Sequence, residues 1–299
     1  MEPWVLVTIL AAAVQTLRFV LQKRLKRLGL SDTGATFARF LFAAPLAALA
    51  LTTLLVSRGD PLPPLSGAFW VHAILGGLCQ ILATLCTVAM FSERAFAVGI
   101  AFTKTETVQV AAFSALILAE PVSAAGLVAI LVGTAGLVVM SRPAAGWRAA
   151  GRGGGRVVAL GLGAGGLFGL SAIGYRAATL EIGHDDALTR ALVALACVTA
   201  FQVGAMAVWM RLRQPGEVGR VLRVWRPVLP VGVTGVLGSL GWFTAFAMQN
   251  AAYVRAVGQI ELIFSVAASV LFFRERLRRS EVAGILLIGL SIVGIVLLR

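Results

Sequence analysis

Charge is scarce in this chain. Asp, Glu, Lys and Arg supply 13% of its 299 residues and apolar types supply 59%, against about a quarter charged and roughly half apolar in soluble domains. With a mean hydropathy of +0.92, a water-soluble core is excluded. A bilayer instead accepts runs of about 20 apolar residues as helices whose backbone groups are satisfied internally. The three cysteines, Cys79, Cys86 and Cys197, lie inside apolar runs with no second cysteine or histidine at metal-ligand spacing, so neither a disulfide framework nor a zinc site is implied. Nucleophile-elbow, P-loop and metal motifs are all missing. An enzyme and a nucleotide-driven pump are therefore not expected, and no cofactor is assigned.

Acidic residues number 13 against 26 basic ones. The excess of +13 does not point to nucleic acid, because the basic residues sit in short segments between apolar runs and not on one face of a folded domain. The bilayer is the partner this pattern fits. The opening Met1-Glu2-Pro3-Trp4 has no positively charged leader region, and the apolar run it starts continues to about residue 21, so it reads as a first transmembrane span and not as a signal peptide.

Apolar runs of spanning length occur at residues 3–21, 33–56, 68–90, 96–118, 122–140, 157–173, 187–210, 228–248, 252–273 and 280–298. The expected fold is an all-α integral membrane protein with ten transmembrane helices. Residues 141–156 are glycine-rich and basic and form a natural linker between a first five-helix half, 1–140, and a second, 157–299. With an odd number of spans per half, the second copy enters the membrane from the opposite side. That makes two inverted five-helix repeats.

The loops after the odd-numbered spans hold 18 of the Lys and Arg residues, whereas the even loops and the termini hold only Arg58, Arg176 and Arg299. By the positive-inside rule the odd loops are cytoplasmic, the termini face outward, and the protein sits as a multi-pass chain in the plasma or inner cell membrane. Gly161, Gly165 and Gly169 in the sixth span, and Gly232, Gly235, Gly238 and Gly241 in the eighth, allow close helix packing. Pro45 is a possible kink in the second.

Two glutamates lie in mid-span, Glu106 and Glu261, 155 residues apart. The same offset carries Thr103 to Gly258, Lys104 to Gln259, Ser114 to Ser269 and Glu120 to Glu275, the trace of an internal duplication. On an ideal helix Thr103, Glu106, Thr107, Val110 and Ser114 fall within about 100° of arc, and their counterparts do the same. An ionisable residue inside a bilayer costs several kcal/mol and marks a functional site by default. Two in corresponding places point to one pseudo-symmetric site for substrate or a proton.

Candidate companions in that site are Lys104, Gln259, Arg255, Gln15, Gln80, Arg39 and Trp242. Lys104 and Arg255 point away from the glutamates of their own ideal helices, so any pairing would be with another helix. Arg18, Arg39 and Arg190 lie near span ends, where snorkelling to headgroups competes with a site role. Trp242 falls inside the eighth span as a candidate cavity residue, and Trp4, Trp70 and Trp225 read as interfacial anchors. Glu120 and Glu275 close their spans beside short turns and read as structural. His184-Asp185-Asp186 reads as a solvated loop, because three adjacent residues do not share a tetrahedral metal site easily.

Two five-helix halves, Arg39-Phe40 opening the second span, Glu120 and Glu275 closing the fourth and ninth, and the glycine-punctuated helices around Gly126 and Gly284 together resemble the EamA-type branch of the drug/metabolite transporter superfamily. The resemblance covers essentially the whole chain. Ala119 and Arg274 stand where the family commonly has glycine, and Glu106-Thr107 and Glu261-Leu262 keep an acid but lack the proline that members often carry beside it. Outward termini are a further departure. The resemblance implies secondary transport or exchange of a small polar metabolite or drug-like solute by a monomer or homodimer, with a proton as a candidate coupling ion. The competing readings are a lipid flippase or scramblase and a non-transporting membrane assembly subunit.

Overall fold

The computed structural model describes residues 2–25, 30–90, 102–140, 155–273 and 278–298. Every regular element among them is helical. In chain order these are α1 (Pro3–Leu25), α2 (Asp32–Arg58), α3 (Gly67–Met90), α4 (Glu106–Ile117), α5 (Ala124–Met140), α6 (Gly155–Leu180), α7 (Ala187–Arg213), α8 (Glu217–Arg223), α9 (Trp225–Met248), α10 (Ala251–Val257), α11 (Ile260–Phe273) and α12 (Arg279–Leu298). Six of them, α2, α3, α6, α7, α9 and α12, are long and apolar enough to cross a membrane, and shorter apolar helices lie at Pro3–Arg18, Glu106–Ile117 and Ala124–Met140.

Among the described residues the all-helical fold is seen, while the count of ten spans is not confirmed. The fourth and ninth spans are interrupted, α6 runs on to Leu180, and α8 was not foreseen. Residues 141–154 of the linker, residues 91–101 with the start of the expected fourth span, and Glu275 lie outside the described residues. Pro45 sits within the unbroken α2.

The chain forms two compact units, one of residues 1–78 with 174–248 and the other of residues 79–173 with 249–299. Neither unit coincides with a sequence half. In the first, α9 packs along α1, α2 and α7, and its glycine-rich face meets Phe42, Arg39 and Ala11 of α2 and α1. Gly174 of α6 touches Gly76 of α3, where an added Cβ would lie 2.9 Å from the Gly76 Cα. Small residues are needed there because the two backbones themselves are in contact.

Caps fix the ends of this unit's helices. Ser31 opens α2 by accepting from the Gly34 N–H at 2.9 Å, and Gly59, with φ of 72°, closes it. Asp186 caps α7 by accepting from the Thr189 N–H at 3.0 Å and binds Arg58 at 2.7 Å. Burial works against the Asp186 carboxylate, but the hydrogen bonds from Arg58 and Thr189 outweigh it and hold its pKa at about 2. The 184–186 segment thus acts as a helix start, with His184 3.8 Å from Asp60.

In the second unit α5 and α12 pack along each other, with Gly136 and Gly284 facing each other so that each occupies the space a side chain on the other would need. Asn250 joins the end of α4 to the start of α10 by accepting from the Ala252 N–H and donating to the Glu120 carbonyl, both at 2.8 Å. Trp4, expected as an interfacial anchor, is 3% exposed, whereas Trp70 and Trp225 are well exposed.

Candidate functional site

Two helix breaks organise the second unit. Phe102 and Thr103 are helical, Lys104 and Thr105 form a turn, and α4 then starts at Glu106. Likewise α10 stops at Val257, Gly258 and Gln259 form a turn, and α11 starts at Ile260. The second break falls one residue earlier than the 155-residue offset places it. At both, hydrogen bonds shorten from four residues to three. Thr105 N–H reaches Phe102 O at 3.2 Å, Gln259 N–H reaches Ala256 O at 3.2 Å and Glu261 N–H reaches Gly258 O at 3.1 Å. The local causes differ. Thr105 Oγ1 donates to the Phe102 carbonyl at 2.7 Å and so competes with the helical ladder. In α10 the interruption falls at glycine, a poor helix former.

Charges complement these interior helix ends. Arg255 lies in the last turn of α10, while Glu106 and Glu261 lie in the first turns of α4 and α11. Cations suit helix C-termini and anions suit N-termini, each by up to about 2 kcal/mol when partly buried. Arg255 Nη2 forms an ion pair with Glu106 Oε1, both side chains being largely buried. Two of the expected site residues, of opposite sign, thus meet, and the pairing crosses from one broken span to the other, while Lys104 lies in the first break and Glu261 in the first turn of α11.

A neutral polar seam adjoins the charges. Gln259, in the second break, donates from Nε2 to Thr107 Oγ1 of α4 at 3.0 Å. Its Oε1 and the Oγ of Ser291 on α12 both crowd Gly133 of α5, 2.8 and 2.5 Å from where a Cβ would stand, and neither has a hydrogen-bond partner among the described residues. Gly165 of α6 presses on the first break, where a Cβ would lie 2.9 Å from the Thr103 carbonyl oxygen, and Gln109 bonds Thr105 at 2.8 Å. The glycine spacing in the sixth span thus serves the break as well as packing.

A sequence profile of the EamA-like transporter family matches residues 2–142 and, a second time, residues 156–297. The chain belongs to the EamA-like transporter family. It is a multi-pass membrane protein, and the family's members transport small solutes. Among solved structures, one described only as the crystal structure of a protein superposes with a TM-score of 0.72 over 97% of this chain and 94% of its own, at 15% identity. That shows a shared fold and nothing about the solute. No curated protein matches the sequence.

The other site candidates of this EamA-like chain divide differently. Gln15 and Trp242 meet in the first unit, Trp242 Nε1 donating to Gln15 Oε1 at 3.0 Å, with Trp242 stacked on Phe246. Arg39, in the same unit, donates to Ser239 Oγ at 3.2 Å and lies beside the Phe40 ring. Gln80 is half-buried in the second unit. Arg18 is 4% exposed, so it does not snorkel. Arg190, with Arg176, ends α9: Arg190 Nη2 reaches the Ala247 carbonyl at 3.1 Å and Arg176 Nη1 the Phe246 carbonyl at 2.7 Å. Sequence reasoning left out Ser291 and Gly133, which carry no periodic or charged signal. Thr107 was placed on the stripe but given no partner.

Proposed function

We propose that this protein is a secondary transporter or exchanger of a small polar solute, working by alternating access between two inverted repeats, with the two helix breaks as its binding site. The odd loops, by their charge, are cytoplasmic in this reading. The observation that carries it is the Glu106–Arg255 ion pair, set at two interior helix ends within apolar spans. Broken helices at matching places in two halves offer a solute helix N-termini and polar side chains at membrane depth.

The pairing suggests how transport couples to protons. An anionic group on the solute competes for Arg255, and a Glu106 left without its partner in a buried site takes up a proton. The unpartnered oxygens of Gln259 and Ser291 accept hydrogen bonds from the solute's donors. A thermal-shift screen of polar metabolites on the purified protein selects the solute, since a ligand of the folded state raises its apparent stability. Uptake of that solute into proteoliposomes under an imposed pH gradient then tests the mechanism. Glu106→Gln is expected to lose the pH dependence and Arg255→Gln to lose uptake. Wild-type rate and pH dependence in both Glu106→Gln and Glu261→Gln would sink the reading.

A further inference from the structure

The segment joining α7 to α9 is strongly and one-sidedly charged. Residues 211–226 contain Arg211, Arg213, Arg220, Arg223 and Arg226, all exposed, and a single acid, Glu217. That acid does not offset them at the surface. Its side chain is 1% exposed, accepts the Ser31 N–H at 2.8 Å at the start of α2 and binds Arg220 at 2.6 Å. Gly216, with φ of 86°, reverses the chain after α7 so that α8 can fold back, and a side chain at Gly34 would collide with Glu217. Glu217 and Val221, four residues apart on one face, are the buried contacts of α8. Its outer face carries Leu222, half exposed, between the arginines.

Tryptophans bracket this segment. Trp209, near the end of α7, is 40% exposed and Trp225, at the start of α9, is 47% exposed, with the Arg226 guanidinium over the Trp225 ring at 5.6 Å. Exposed tryptophans at the ends of apolar helices mark the level of the membrane interface. Between them, a short helix anchored by an inward carboxylate displays only cations and apolar side chains, the composition of an interfacial helix on an anionic membrane.

We propose that the α8 platform is a docking site for the headgroups of anionic phospholipids of the surrounding bilayer. Glu217 builds it by withdrawing the only negative charge and by tying α8 to the start of α2. The arginines bind the lipid phosphates, and Leu222 with the two tryptophans fixes the depth of the helix.

The test reconstitutes the full chain in nanodiscs of phosphatidylcholine alone or with phosphatidylglycerol, then measures thermal stability and, by native mass spectrometry, the phosphatidylglycerol retained. The variant R211Q/R213Q/R223Q/R226Q leaves the Arg220–Glu217 pair intact. A control, R142Q/R148Q/R152Q/R156Q, removes the same charge from another odd loop. Wild type and control are expected to be stabilised by phosphatidylglycerol and to retain several-fold more of it than the platform variant. Inorganic phosphate added to the phosphatidylcholine nanodiscs is expected to change nothing, and 0.5 M NaCl is expected to abolish the wild-type effect. An equal loss in the control, or no preference for phosphatidylglycerol in the wild type, overturns the proposal. If the platform variant does not fold, the two pairs R211Q/R213Q and R223Q/R226Q are read separately, and phosphatidylglycerol retention equal to wild type in both overturns the proposal.

Discussion

Glu106 loses most of its hydration where it lies, and its setting compensates in two ways. It lies in the first turn of a helix, at the positive end of the dipole, and Arg255 supplies a direct counter-charge. Removing one member leaves the other buried and uncompensated, which costs about 3 kcal/mol. Glu106→Gln and Arg255→Gln are therefore each expected to lower unfolding stability in detergent by about that amount. The double variant should recover part of the loss, with a coupling of about 2 kcal/mol. Additive losses would show that the pair is not the energetic unit the geometry draws. The glutamates were legible in the sequence as costly charges at one offset. The identity of the partner was not, because on an ideal helix Arg255 has no reason to face the other broken span.

At the scale of elements, the spans were legible because bilayer thickness makes long apolar runs into helices. The breaks were hidden by the absence of proline at both. One local signal was present: Lys104 precedes Glu106 and Arg255 precedes Glu261, the reverse of the order that suits a continuous helix, yet right for one helix ending and another starting. The seven residues of α8 were too few for periodicity to show. The end of α4 holds a further expectation. Ala119 adopts φ of 52° so that the Glu120 N–H reaches back to Ser114 O at 3.1 Å. A left-handed non-glycine residue costs about 1–2 kcal/mol, and glycine returns about 0.5–1 kcal/mol through its freer unfolded chain. Ala119→Gly, which restores the residue the family resemblance expects there, should stabilise the protein by about 0.5–1 kcal/mol, read as a higher Tm. A lower Tm would mean that the Ala119 methyl makes contacts worth more than its strain.

Over the whole molecule, the duplication was legible but the way it is used in space was not. Periodicity and offset report which residues correspond, whereas packing depends on which faces are complementary. Each compact unit draws on both halves: residues 1–78 need 174–248, and residues 79–173 need 249–299. A fragment of residues 1–150 is accordingly expected to be degraded or aggregated when expressed alone, and to co-purify as a stable pair when expressed with residues 151–299. A monodisperse, protease-resistant 1–150 fragment would contradict this.

The same interleaving sets a timetable for synthesis. The ribosome delivers every helix of the first half before the segments that complete either unit exist, and α12, far along the chain, is the main partner of α5 among the described helices. Until it arrives, the Gly136 surface of α5 faces lipid or the insertion machinery, and the earlier helices must wait as separate inserted segments. Quality control that samples exposed polar seams in the membrane therefore has an opportunity until α12 leaves the ribosome.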